Sequence, residues 1–196
     1  MKFKESETYK NLANSFAGEC QAQTRYRFLQ YGATQKGLTA LAEIVSKLIA
    51  NEFNHARMFY TKLQNGEKET IENIDVCSGY PFKEKWNMTE NFAFSVENET
   101  EEVGIYKSHA KTAEKEGYKD IASLFEMVAG VERNHAKILS EIHTQLVNDS
   151  MYKKEKKTKF KCSDCGYEAT LLEAWQVCPL CMAKQGAVEL HLSTTV

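Results

Sequence analysis

Two short segments of this chain carry the same chemical pattern. "NEFNHAR" (residues 51–57) and "VERNHAK" (131–137) each contain Glu-x-x-His, as Glu52 with His55 and Glu132 with His135. That spacing puts a carboxylate and an imidazole on one face of a helix. The face is otherwise oily. Leu41, Val45, Leu48, Glu52, His55, Phe59 and Leu63 follow one another in steps of three and four, as do Ile121, Phe125, Val128, Glu132, His135, Leu139, Ile142 and Leu146. Another Glu interrupts an apolar stripe at one and the same interval before each motif, Glu19 before Glu52 and Glu99 before Glu132. Glu102 interrupts the stripe of Glu99 again, one turn on. A buried carboxylate becomes neutral or finds a cation. No Lys or Arg lies on these stripes. Five facing carboxylates therefore call for cations from outside the chain, and two ions held by carboxylate oxygen and imidazole nitrogen suit iron or manganese.

The elements that position these groups repeat as well. Sliding the chain along itself until Glu19 meets Glu99 also lays Tyr26 on Tyr106, Gly37 on Gly117, Glu52 on Glu132 and His55 on His135, without a gap. Two copies of one helical hairpin follow. Residues 5–36 and 38–64 read as helices about Gly37, with Asn65-Gly66 closing the second. Residues 66–88, with Gly79-Tyr80-Pro81, read as a connection. Thr89 is expected to cap a third helix that stops at Gly117, and a fourth covers residues 118–148. Glu19 precedes Gly37 by about five helical turns, and Glu52 follows it by about four. At about 1.5 Å per residue both stand roughly 22–27 Å from the turn, level on antiparallel helices. Two hairpins joined by one long crossover, with a Glu from each of two helices and Glu-x-x-His from the other two, make an all-α ferritin-like four-helix bundle with a dinuclear site.

Glu102 breaks the symmetry, because its counterpart is Ala22. It reads as an extra ligand or as a group behind the ligands, with the former favoured. Tyr26 and Tyr106 read as core residues whose hydroxyls can reach the site. His109 reads as a core or supporting histidine, His143 and His191 as surface residues, and Cys20 and Cys77 as ordinary thiols.

The chain has 196 residues and a formal net charge of −2, which gives no global attraction to nucleic acid or to an anionic membrane. No apolar run is long enough to span a bilayer, and "MKFKESETYK" lacks the apolar core of a signal peptide. The expectation is a cytoplasmic protein in three parts: the bundle over residues 1–148, a solvated lysine-rich linker over 149–159, and a small metal-stapled domain over 160–196. In that last part Cys162 and Cys165 form one C-x-x-C, and Cys178 and Cys181 form another. Two such knuckles give a four-sulfur site for zinc or iron.

"CSDCGY" followed by "CPLC" resembles the two metal-binding loops of rubredoxin. "FAGECQAQTRY" (16–26), the two Glu-x-x-His motifs and this tail together resemble rubrerythrin over nearly the whole chain. The resemblance implies a rubredoxin-like C-terminal domain and a non-haem peroxidase of oxidative-stress defence. Such an enzyme reduces hydrogen peroxide to water at a di-iron centre, with electrons passing through the iron held by the four cysteines. It implies Glu19, Glu52, Glu99, Glu102, Glu132 and His135 as ligands, with Glu52 and Glu132 bridging. It further implies that Glu102 gives way to His55 on reduction. It also implies a head-to-tail homodimer and a separate electron-donor protein, rubredoxin, ferredoxin or an NAD(P)H-dependent reductase. A ferroxidase or iron-handling bundle with a zinc-ribbon tail is the rival reading. The chain departs from the family in two places. Met182 stands where Gly is common, and the third helix is one residue shorter after Glu102. Alignment backward from Gly117 would put Asn98 and Glu101 at the ligand positions, whereas the internal repeat selects Glu99 and then Glu102. A lost residue would remove a helical bulge beside the site.

Overall fold

The computed structural model describes residues 2–64, 73–77 and 87–194. Four long helices form the bundle: α1 (Glu7–Gln35), α2 (Thr39–Gln64), α3 (Met88–Glu116) and α4 (Lys119–Val147). The Ser6 hydroxyl caps α1 by accepting from the Tyr9 N–H. The cap of α3 is Asn87, whose side chain accepts from the Glu90 N–H, rather than the expected Thr89. Thr89 falls inside the first turn. Asn caps at least as well as Thr, so the earlier of two competent residues takes the position. Gly117 ends α3 with φ 90° and Gly37 sits in the α1–α2 turn with φ 70°, left-handed conformations that cost a side-chain-bearing residue about 1–2 kcal/mol.

The repeat seen in the sequence becomes two antiparallel hairpins, α1 along α2 and α3 along α4. Their first helices also run antiparallel. The Glu116 carboxylate at the end of α3 accepts from the Glu7 and Thr8 N–H groups at the start of α1 (3.1 and 2.9 Å), where the helix leaves unpaired N–H donors. The chain leaves α2 at the end where Leu63 packs with Tyr9 and Phe125. It enters α3 at the opposite end, where Met88 packs with Leu41 and Ile142. The end of α2 and the start of α3 therefore lie at opposite ends of the bundle. Asn65-Gly66 and Gly79-Tyr80-Pro81 lie outside the described residues.

The core is divided in two. One apolar cluster holds Leu12, Phe59, Tyr106, Phe125 and Val128. The other holds Tyr26, Leu29, Val45, Leu48, Phe92, Leu139 and Ile142. The inward carboxylates and imidazoles lie on helix positions between the two sets, so apolar layers close the site above and below.

Beyond α4 the chain forms an antiparallel pair, β1 (Lys153–Lys161) with β2 (Glu168–Glu173). The solvated linker expected over 149–159 is thus corrected from Lys153 onward. Its lysines point no apolar side chain inward and carry low strand propensity. Pairing with β2 and the fully buried Phe160 decide the conformation instead. The tail packs on its own bundle at the Gly37 end. Leu190 and Leu192 join the cluster of Leu41 and Ile142. Gln145 Nε2 donates to the His191 carbonyl at 2.7 Å, and the Ser193 N–H to Glu141 Oε2 at 2.7 Å. Gly186 faces Gly37 so closely that a Cβ on it would overlap the Gly37 carbonyl oxygen. His191 is exposed, as expected, and His143 is half-buried.

Candidate metal centre

Each helix delivers one buried carboxylate to the middle of the bundle. Glu19, Glu52, Glu99 and Glu132 are all fully buried, with His55 and His135 beside them. Their donor atoms fall into two quartets: Glu19, Glu52, His55 and Glu132, and Glu52, Glu99, Glu132 and His135. Within each quartet the atoms lie within 4.8 Å of one another. Glu52 and Glu132 belong to both. His55 Nδ1 lies 2.9 Å from Glu132 Oε1, 3.3 Å from Glu52 Oε2 and 3.6 Å from Glu19 Oε2. His135 Nδ1 lies 2.8 Å from Glu132 Oε2, 2.9 Å from Glu52 Oε1 and 3.8 Å from Glu99 Oε2. Each shared carboxylate therefore offers one oxygen to each side. One ring nitrogen cannot bond three carboxylate oxygens through a single proton. Glu19 Oε2, Glu52 Oε1, Glu99 Oε2, both Glu132 oxygens and His135 Nδ1 have no hydrogen-bond partner despite complete burial. Such a donor set fits two cations, one per quartet.

The metal-free electrostatics point the same way. Burial alone would lower His55, yet the Glu132, Glu19 and Glu52 carboxylates push it up to about 12. His135 rises to about 9 against burial, through Glu132 and Glu52. Burial pushes Glu19 well above the carboxylate range, as it does Glu99, where the Glu102 charge adds to it. Glu52 falls below that range: burial opposes the shift, and the His135 and His55 rings outweigh it.

Supporting groups surround the quartets. The Tyr26 hydroxyl donates to Glu99 and the Tyr106 hydroxyl to Glu19, a crossed pair that the repeat makes symmetrical. Each fixes a carboxylate that serves one quartet only. The Asn51 amide nitrogen lies 3.2 Å from His135 Nε2 and holds the far edge of that ring. Asn51 carries no sequence signal, because it sits beside the stripe rather than on it. His109 belongs to neither quartet. Its Nδ1 lies 3.3 Å from the Ser15 hydroxyl, and burial lowers it to about 4.

Glu102 stands apart. It joins neither quartet, and its Oε1 lies 3.7 Å from Arg25 Nη2, both side chains largely buried. Burial pushes it up to about 8, with Arg25 pulling the other way. No Lys or Arg stands on the stripes themselves, but a buried cation stands beside one. Arg25 sits beside Tyr26, is 6% exposed, and turns inward because α3 supplies a carboxylate opposite it. The shorter third helix does not bring Asn98 and Glu101 inward. Asn98 donates to its own helix backbone at Phe94, and Glu101 is exposed. α3 is α-helical throughout, with no π turn.

The tail holds a second donor set. Cys162 Sγ and Cys181 Sγ are 3.8 Å apart, and Cys165 Sγ and Cys178 Sγ are 3.7 Å apart. A tetrahedron with metal–sulfur bonds of about 2.3 Å has edges of about 3.8 Å, whereas a disulfide is about 2.05 Å long. The four cysteines therefore fit one ion. Burial would raise the Cys178 thiol, yet the backbone N–H groups of Cys181 and Leu180 pull it down to about 7. Each knuckle turns through a left-handed residue, Gly166 (φ 75°) in the first and Met182 (φ 66°) in the second. Cys20 and Cys77 are exposed and free.

The rubrerythrin family model matches residues 10–91 and 90–174. Rubrerythrin of Clostridium perfringens is 31% identical over 192 residues, 97% of each chain. Rubrerythrin-1 of Clostridium acetobutylicum is 32% identical over 188 residues, 95% of each chain. Among solved structures, nigerythrin in a partially reduced state superposes with a TM-score of 0.61 at 20% identity, covering 96% of this chain and 91% of that one. This last likeness concerns the fold. Among the described residues no helix is long and apolar enough to cross a membrane.

Proposed function

The chain belongs to the rubrerythrin family, with a carboxylate–histidine di-iron site and a four-cysteine iron site that its residues fit, and we propose that it reduces hydrogen peroxide to water. The observation that carries this reading is the presence, in one chain, of two buried quartets sharing two carboxylates and a separate four-sulfur site. A ferroxidase has no use for the second. When bound, the irons supply the two electrons that cleave the O–O bond and the Lewis acidity that orients the peroxide. Two protons complete the conversion to two waters.

The protein's part is positional. Glu52 and Glu132, with one oxygen toward each quartet, would bridge the ions in every state. Glu19 and Glu99 would each bind one ion, steadied by Tyr106 and Tyr26. His135 would serve one ion throughout. On reduction His55 would bind and Glu102 would withdraw; His55 lies within its quartet and Glu102 lies beside Arg25. The apolar layers on both sides exclude bulk water from the bridging carboxylates.

Electrons would arrive singly through Cys162, Cys165, Cys178 and Cys181, from a donor protein such as an NAD(P)H-dependent reductase, in the cytoplasm. The tail packs beside Gly37, whereas Glu52 lies about four turns further along α2, about 22 Å away. Tunnelling falls off exponentially with distance, which supports a head-to-tail homodimer where one chain's tail faces the other's site. Stopped-flow mixing tests the reaction. The fully reduced protein should be oxidised much faster by peroxide than by oxygen; faster oxidation by oxygen would refute the peroxidase reading and favour a ferroxidase.

A further inference from the structure

Four positions on α1 and α3 break the internal repeat in a linked way. The shift that lays Glu19 on Glu99 sets Ala22 against Glu102 and Arg25 against Ile105. The crossed tyrosines define how the two antiparallel helices face each other, Tyr26 opposite Glu99 and Tyr106 opposite Glu19. In that frame Arg25 faces Glu102, 3.7 Å apart, and its symmetry mate is the pairing of Ala22 with Ile105. Ala22 is fully buried and Ile105 is 45% exposed. The chain has thus placed a cation and an anion together on one side of the pseudo-twofold axis and neither on the other. An extra ligand alone would need Glu102 and not Arg25.

The pair is loose. Arg25 Nε, Arg25 Nη2 and Glu102 Oε2 are buried without a hydrogen-bond partner, where a tight Arg–carboxylate pair would be bidentate. A guanidinium held this way accepts the carboxylate without locking it in place. We propose that Arg25 is a positioning residue, the off-metal berth that receives Glu102 when its carboxylate leaves the di-iron site. This rests on the reading above that Glu102 exchanges with His55. Arg25 then sets how readily the exchange runs: the berth competes with the ion for one carboxylate, and the electrostatic gain at Arg25 offsets the lost metal bond.

The test is a double-mutant cycle on the full-length protein, read as cobalt(II) affinity at the di-iron site. Cobalt(II) carries the ferrous charge without being oxidised. Arg25→Gln removes the berth and frees Glu102 for the ion, so cobalt(II) should bind about tenfold more tightly or better. In a Glu102→Gln background that tightening should shrink by about tenfold. Equal tightening in both backgrounds would mark a merely Coulombic role and overturn the berth. A crystal structure of the unmutated protein with cobalt(II) gives a second readout that needs no variant. Glu102 on Arg25 is expected, and Glu102 on the metal would overturn the proposal. The exchange is checked separately. If Glu102→Gln leaves the absorption of the oxidised di-iron site unchanged, the exchange is absent and the berth falls with it. If that absorption changes while the cycle shows no coupling, the exchange stands and the berth alone is refuted.

Discussion

Loading the di-iron site should release protons, and the structure sets how many. In the metal-free protein His55 is held up to about 12 and His135 up to about 9 by the carboxylates around them. Both rings are therefore protonated at neutral pH. Binding an ion through Nδ1 requires the lone pair, so both protons must leave. Glu19 and Glu99 are shifted upward, chiefly by burial, and so hold protons more readily than ordinary carboxylates. Glu52, shifted downward by the two rings, adds nothing. The sign follows from competition: a group whose pKa lies above the working pH yields its site more easily as pH rises. Each such proton is worth about 1.36 kcal/mol per pH unit. The two histidines alone should therefore strengthen binding of a divalent pair by about 100-fold per unit around neutrality. The histidine contribution should halve above about pH 9, where His135 is already neutral. Cobalt(II) titrations against a competing chelator between about pH 6.5 and about pH 8.5 would measure the slope. An indicator dye in weak buffer would count the protons directly. Release of fewer than two protons per ion pair, or an affinity flat across that range, would refute the assignment of both rings as protonated ligands-in-waiting.

Other consequences follow from single contacts. Gly186→Ala would drive a Cβ into the Gly37 carbonyl oxygen and to 2.8 Å from its carbon. Backbone cannot yield there, so about 1–3 kcal/mol of strain should loosen the tail from the bundle. Faster amide exchange across residues 37–40 and 186–192, with the di-iron absorption intact, is the expected result. Tyr106→Phe leaves the Glu19 carboxylate without its buried donor. Metal affinity should fall about 10- to 100-fold, by chelator competition, while the helix content stays unchanged. Met182→Gly relieves a side chain held at φ 66°. It should raise the thermal stability of the metal-loaded tail by about 1 kcal/mol, read from the melting of its sulfur-to-metal absorption.

Helix phase is a one-dimensional property, and this sequence displays it twice. Apolar steps of three and four define which face turns inward, so Glu19, Glu52, Glu99, Glu132, His55 and His135 are placed inside by periodicity alone. The repeat then pairs them across hairpins, and the cysteine spacing announces the four-sulfur site. Local chemistry decided these features because ligands on one helix turn, or on one knuckle, are fixed by backbone geometry alone. Partners on different elements are another matter. Arg25 meets Glu102 only because α1 and α3 run antiparallel at one rotation and register, and no stripe on α1 reveals it. Asn51 reaches His135 from another helix. Lys153–Lys161 is a strand because β2 lies beside it, against the leaning of its lysines. Gly186 matters because Gly37 is opposite. The sequence by itself determined the ligand-bearing faces and the four-helix plan. The tertiary structure decided which buried charges answer one another, since an ion pair between helices depends on relative position in three dimensions, which periodicity along one chain does not encode.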